Sequence, residues 1–206
     1  LSGEVSSLKI YAGAMTETEV AVAYVASLPP CAKGGIASVC AVRSTNPACA
    51  DSATSCCAGN ATAMFLGASV TAIAANAFEG CASLTTVNLA TATSLTSIGA
   101  SAFSGCTSLT TLSFVGAAGV TSIGANAFAG STTLSAITIS ASINTIGDSA
   151  FSGCSALTTV NLAAATSLTS IGASAFSGCT SLTILSFVGA AGVTSIGANA
   201  FTNTQV

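Results

Sequence analysis

The chain has 206 residues, of which 51% are hydrophobic and only 4% charged, with a net charge of −3 and no histidine. Ordinary soluble domains carry roughly 25% charged residues. So little charge leaves no basic patch for a nucleic-acid backbone, which argues against that partner class, and the missing imidazole removes the commonest general base. Leu1 is not an initiator methionine, so a processed product or a piece of a longer chain is expected. No signal peptide is visible, and the longest apolar run, Val20 to Leu28, falls well short of the roughly 20 residues that span a bilayer.

Residues 1–28 differ in character from the rest. Val5-Ser-Ser-Leu-Lys-Ile10 alternates and reads as a strand. Thr16, followed by Glu17 and Glu19, reads as the cap and acidic first turn of a short helix. The stretch resembles the closing strand and following helical turn of laminin-G-like (concanavalin-A-like) domains, over about 25 residues. It reads equally as a strand and helix capping the first coil of a solenoid, since solenoids need caps.

Residues 29–60 form a connector punctuated by Pro29-Pro30, Gly34-Gly35 and Asn46-Pro47. It holds Cys31, Cys40, Cys49, Cys56 and Cys57 without any C-x-x-C spacing, which favours disulfides stapling an irregular segment over a zinc site. Asn60-Ala-Thr62 is the only N-glycosylation sequon and makes Asn60 the candidate acceptor. The many Ser and Thr residues beside small ones leave O-glycosylation open.

From residue 61 to 206 the chain is a repeat. Phe78, Phe103, Phe128, Phe151, Phe176 and Phe201 recur at intervals of 25, 25, 23, 25 and 25, each with an isoleucine five residues earlier. A fixed period in the twenties marks a solenoid, here of six coils of 23–25 residues. One coil, Leu95 to Phe114, reads in three pieces. Leu109–Phe114 is a short strand by its alternation. Leu95–Ile98 is a second extended piece closed by a turn at Gly99. Ala100–Cys106 is compact, with room for one helical or 3₁₀ turn. The fold class is therefore mostly β, with ladders of Leu, Ile and Phe inside and of Thr and Ser outside. Residues 83–128 return as 156–201 with three differences among 46 positions, Ser83/Ala156, Thr91/Ala164 and Thr111/Ile184. A recent duplication accounts for that identity without any function. Cys81, Cys106, Cys154 and Cys179 occupy one coil position, where buried free thiols are expected, since ladder side chains point the same way.

LTSIGASAFSGCTSLTTLSF resembles the leucine-rich repeat of BspA-like (Treponema-type) surface proteins, and the match covers about residues 68–206. The resemblance implies a right-handed leucine-rich-repeat solenoid, extracellular or on a cell surface, without catalytic residues. Ser131, where the pattern has Cys, and the prevalence of 25-residue spacing over 23 are departures.

Three functional readings are open. The repeat ends at Val206, just before its next strand, and an uncapped apolar edge beside a nearly uncharged surface suggests coils stacking end to end, with a filament as one outcome. An adhesion module for glycans or extracellular proteins would use the sheet positions Thr86, Asn88, Thr111, Ser113, Ala136, Thr138, Thr159, Asn161, Ile184 and Ser186, a face without the Trp, Tyr and Arg that usually anchor interfaces. Ice binding would use a hydroxyl row Thr96, Thr121, Thr145, Thr169 and Thr194. No cofactor and no metal is expected. Enzymatic activity is not expected either: beyond residue 60 the only carboxylates are Glu79 and Asp148, three coils apart and so about 15 Å by strand spacing.

Overall fold

The computed structural model describes residues 39–42, 62–66, 68, 70–114 and 116–206. The strand and helix expected within residues 1–28 lie outside them. So do Cys31, Cys49, Cys56, Cys57 and Asn60.

Thirteen short strands run through the described residues in parallel stacks. β1 (Val39–Val42), β2 (Ala63–Leu66), β4 (Thr86–Asn88) and β6 (Thr111–Ser113) form one sheet in that order. β8 (Ala136–Thr138), β10 (Thr159–Asn161) and β12 (Ile184–Ser186) continue on the same side as a separate sheet. On the other side, six two-residue strands form one unbroken sheet: β3 (Ala72–Ile73), β5 (Ser97–Ile98), β7 (Ser122–Ile123), β9 (Thr145–Ile146), β11 (Ser170–Ile171) and β13 (Ser195–Ile196). This is the expected solenoid. β1 is a correction to the connector, read as wholly irregular: Val39–Val42 pairs in parallel with β2, Val39 opposite Ala63. The disulfide staple read for the connector falls on cysteines whose side chains lie outside the described residues.

Each strand is short because only its central residue needs to reach the core. Val87, Leu112, Ile137 and Val160 point inward and are buried, and so are Ile73, Ile98, Ile123, Ile146 and Ile171 on the opposite side. The phenylalanines form a single stack between the sheets. Successive ring centroids lie 5.1–5.4 Å apart with planes within 3–6° of parallel. That spacing slightly exceeds the roughly 4.8 Å between strands, so the rings ride on the backbone ladder in an offset stack. Phe103, Phe128, Phe151 and Phe176 are wholly buried, and each such ring contributes about 1.5–3 kcal/mol.

The compact piece after each glycine is a run of turns, and no helix occurs among the described residues. Its N–H groups alternate between partners: every second one stays within the coil in an i→i−3 turn, as Glu79 to Asn76 O at 3.2 Å, and the others go to the next coil. Asn76, Phe78 and Gly80 donate N–H to Ala100, Ala102 and Ser104 carbonyls at 2.9, 2.7 and 2.7 Å, and the pattern recurs at Ser101, Phe103 and Gly105. A helix would consume those donors within the coil, so coil-to-coil bonding wins.

The Ile-Gly step also works differently from expectation. Gly99 does not take the left-handed turn; the positive φ falls two residues on, at Asn76, Ser101, Asn126, Ser149, Ser174 and Asn199, between 53 and 60°. The glycine is needed for close approach. A Cβ on Gly99 would sit 2.6 Å from the Ala75 nitrogen, and on Gly124 2.6 Å from that of Ala100.

These two rows respond oppositely to substitution. Gly124→Ala forces backbone apart in a packed stack and lowers stability by about 1–3 kcal/mol. Ser149→Asn places a residue that tolerates the left-handed region where serine is strained, and raises stability by up to about 1 kcal/mol. Urea denaturation of each variant beside the parent chain checks both signs.

Candidate functional site

The positions read as a recognition face lie on β4, β6, β8, β10 and β12, but they are not equivalent. Asn88 and Asn161 spend their side-chain oxygens on the fold. Asn88 Oδ1 accepts from Ala90 N–H at 2.9 Å and Asn161 Oδ1 from Ala163 N–H at 2.8 Å, turning the chain out of the strand. Thr111, Ala136, Thr138 and Ile184 are exposed, while Thr86, Ser113, Thr159 and Ser186 are half-buried. The hydroxyls of Thr85, Thr110 and Thr158, just before the strands, donate to the carbonyl of the coil below at 2.8, 3.2 and 3.0 Å.

The second hydroxyl row is out of register with the sequence reading. Thr96, Thr121, Thr169 and Thr194 do align, each donating its hydroxyl to a backbone carbonyl one coil back at 2.8–3.3 Å. The residue between them is Asn144, whose carbonyl receives the Thr169 hydroxyl at 3.1 Å. Thr145 lies instead opposite Ser122 and Ser170. The 23-residue coil displaces the count by one, so the threonine row that the ice-binding reading used is interrupted.

The two carboxylates are not brought together. Asp148 lies at the turn after β9, and its Oδ1 accepts from the Ala173 N–H of the next coil at 2.7 Å. No group of three or more His, Cys, Asp or Glu able to hold a metal occurs among the described residues.

Cys106, Cys154 and Cys179 are free and buried, as their shared position implied. Cys81 departs from that expectation: it is disulfide-bonded, and none of the other three is its partner. Each free thiol points at a phenylalanine carbonyl of the coil below. Cys106 Sγ lies 3.2 Å from Phe78 O, Cys154 Sγ 3.3 Å from Phe128 O and Cys179 Sγ 3.2 Å from Phe151 O. Burial pushes the Cys106 thiol up to about 12. Cys154 is raised by its hydrogen bond with Cys179 and by burial. Ser131 stands in this row fully buried, with its hydroxyl lacking a partner.

The feature that the sequence reading missed is a break in the recognition sheet between β6 and β8. At other coil boundaries one or two N–H groups reach down to one carbonyl: Thr110 and Thr111 to Thr85 O at 2.9 and 3.1 Å, Thr158 alone to Ser135 O at 2.8 Å, and Thr183 and Ile184 to Thr158 O at 3.1 and 3.0 Å. Among the described residues no such bond joins Ser135 or Ala136 to Thr110, and none joins Phe114 N–H to Thr138 O, although Leu89, Ile139 and Leu162 make the equivalent bond. The cause is visible at the next corner. Ser122 follows Ser113 by nine residues, but Thr145 follows Thr138 by only seven. The shortened corner pulls β8 off the contour of β6. A notch of about 380 Å³ results, lined by Leu112, Ser113, Phe114, Ala136, Ile137, Thr138 and Ser140.

The comparisons with known proteins agree with this architecture. The pattern described as BspA type Leucine rich repeat region matches in six copies, over residues 51–163 and 96–206. The chain belongs to the BspA-type leucine-rich repeat family. Among solved structures it is similar to the leucine-rich repeat protein of T. pallidum, with 25% identity, a TM-score of 0.50, and coverage of 70% of this chain and 77% of that one. It is also similar to a leucine-rich cell surface protein from Faecalibacterium prausnitzii, with 28% identity, a TM-score of 0.41, and coverage of 60% of this chain and 38% of that one. No curated protein matches it in sequence. BspA-type repeats are generally non-catalytic, and no helix among the described residues is long and apolar enough to cross a membrane.

Two outcomes test the cysteine row. With Cys106, Cys154 and Cys179 fully buried, iodoacetamide at pH 8 leaves all three unmodified in the native protein, Cys179 included although its hydrogen bond with Cys154 lowers it, and labels all three in denaturant; peptide mass spectrometry distinguishes the cases. Ser131→Cys replaces an unpartnered buried hydroxyl with the residue its neighbours use, and raises the denaturation midpoint by the equivalent of about 1–3 kcal/mol.

Proposed function

We propose that this chain is a cell-surface repeat protein that works by contact, and that its contact surface for extracellular proteins or glycans is the outward face of β4, β6, β8, β10 and β12. The observation that carries the reading is the character of that face. Thr86 and Thr111 stand in register on β4 and β6 with Ser113 beside them, and Thr138 and Thr159 stand beyond the break on β8 and β10, with no charge among them. A rigid, uncharged face of hydroxyls suits partners that offer hydrogen bonds. Family membership and the surface location stated for the F. prausnitzii relative support the placement outside the cell.

A second reading is favoured by one observation. Phe187 and Ile196 are 37 and 51% exposed, while their counterparts at inner coils, Phe114 and Ile123, are 6 and 1% exposed. At inner levels a further coil of the same repeat covers such residues. That cover can come from more of the same chain or from a second copy, and end-to-end association of copies would use this face.

One pair of experiments separates the two. Binding of the purified protein to immobilised extracellular-matrix proteins and glycans is measured for the parent chain and for Thr111→Arg with Thr138→Arg. The recognition reading expects saturable binding that the double variant loses, and it fails if the variant binds as well as the parent. Sedimentation velocity across concentrations, with Ile196→Thr as comparison, tests association. Concentration-dependent oligomers that the variant weakens support it, and a monomer throughout overturns it.

A further inference from the structure

We propose that the notch between β6 and β8 is a binding site for a single neutral saccharide unit, a reading that deepens the contact role of this sheet face. Four observations point the same way. The notch measures about 380 Å³, at the small end of ligand pockets, which run from roughly 300 to 1,000 Å³. Its floor is apolar, from Leu112, Phe114 and Ile137, and its rim carries the hydroxyls of Ser113, Thr138 and Ser140. Neither Glu79 nor Asp148, the only charged side chains among the described residues, lines it. Finally, its walls are strand edges whose inter-coil bonds are missing: Ser135 and Ala136 N–H and Thr110 O do not meet, and neither do Phe114 N–H and Thr138 O.

An occupant must therefore be compact and uncharged and must carry donors and acceptors around its edge; the apolar lining offers it little surface, since Leu112, Phe114 and Ile137 are 9, 6 and 2% exposed. A pyranose ring has this character, with C–H groups on its faces and hydroxyls at its rim. The obvious rival, an extended peptide completing the sheet, does not fit. A strand inserted between two others needs them roughly 9.6 Å apart, twice the normal spacing, and β6 and β8 have Cα atoms within 8 Å of each other. Among the described residues the other neighbouring strands of this face are paired.

The test uses the full chain and a panel of neutral mono- and disaccharides, read by saturation-transfer difference NMR and titration. Ala136 lies on the notch rim, and Thr166 is an exposed corner residue off the sheet face. Ala136→Phe fills the notch from an exposed position and lowers affinity for the bound sugar about tenfold or more, while Thr166→Phe leaves it within about twofold. Ser140→Ala, a gentler rim change, lowers affinity in the same direction. Absence of binding by the parent chain to every sugar in the panel overturns the proposal. Equal loss from Ala136→Phe and Thr166→Phe also overturns it, while leaving recognition by the sheet as a whole standing. Binding to matrix proteins without binding to any sugar removes the saccharide site alone.

Discussion

The hydrogen bonds between one coil and the next govern the rest of this structure. With strands of two or three residues, no element is stable by itself. The turns after each glycine give every second N–H group upward, the strands and threonine hydroxyls give theirs downward, and the apolar ladders are held in register by that lattice. The demand for close vertical approach explains the composition. Glycine is required where a Cβ would strike the coil beneath, and small residues fill the corners. Threonine suits the exterior because its hydroxyl reaches the carbonyl one level back.

The same constraint explains why the surface can dispense with charge. The described interior needs no ion pairs, since its polar groups are backbone amides already matched to the neighbouring coil. Asp148 is an instance: its carboxylate serves as an acceptor for Ala173 N–H within the lattice. Ser131 shows the cost of a mismatch, a buried hydroxyl left without the carbonyl contact that the thiols beside it make. A protein of this kind offers shape and hydroxyls to its surroundings and has little means of altering them chemically.

Much of this was legible in the residues. The Phe and Ile periods fix the stack and its six levels, and alternation around Leu112 and Val160 identifies the inward side of the sheet. Three points were not. Gly99 looked like a turn residue, because sequence alone does not separate a glycine needed for φ from one needed for approach; the strain falls on Ser101. The compact piece looked helical because its composition is, whereas the neighbouring coils capture every second donor. The 23-residue spacing of Phe128 and Phe151 was plain, but a period counted on one residue does not say which corner was shortened. Comparing Ile139–Ile143 with Phe114–Val120 would have placed the loss after β8, moved Asn144 into the threonine row and hinted at the break in the sheet.

The most direct measurement is hydrogen exchange resolved by residue on the native protein. Coil-to-coil bonding interrupted at one level predicts slow exchange for the amides of Thr110, Thr111, Thr183 and Ile184, and fast exchange for Ser135, Ala136 and Phe114. Uniform protection across all seven would mean that the sheet is continuous through β6 and β8, and would contradict both the interrupted lattice and the notch built on it.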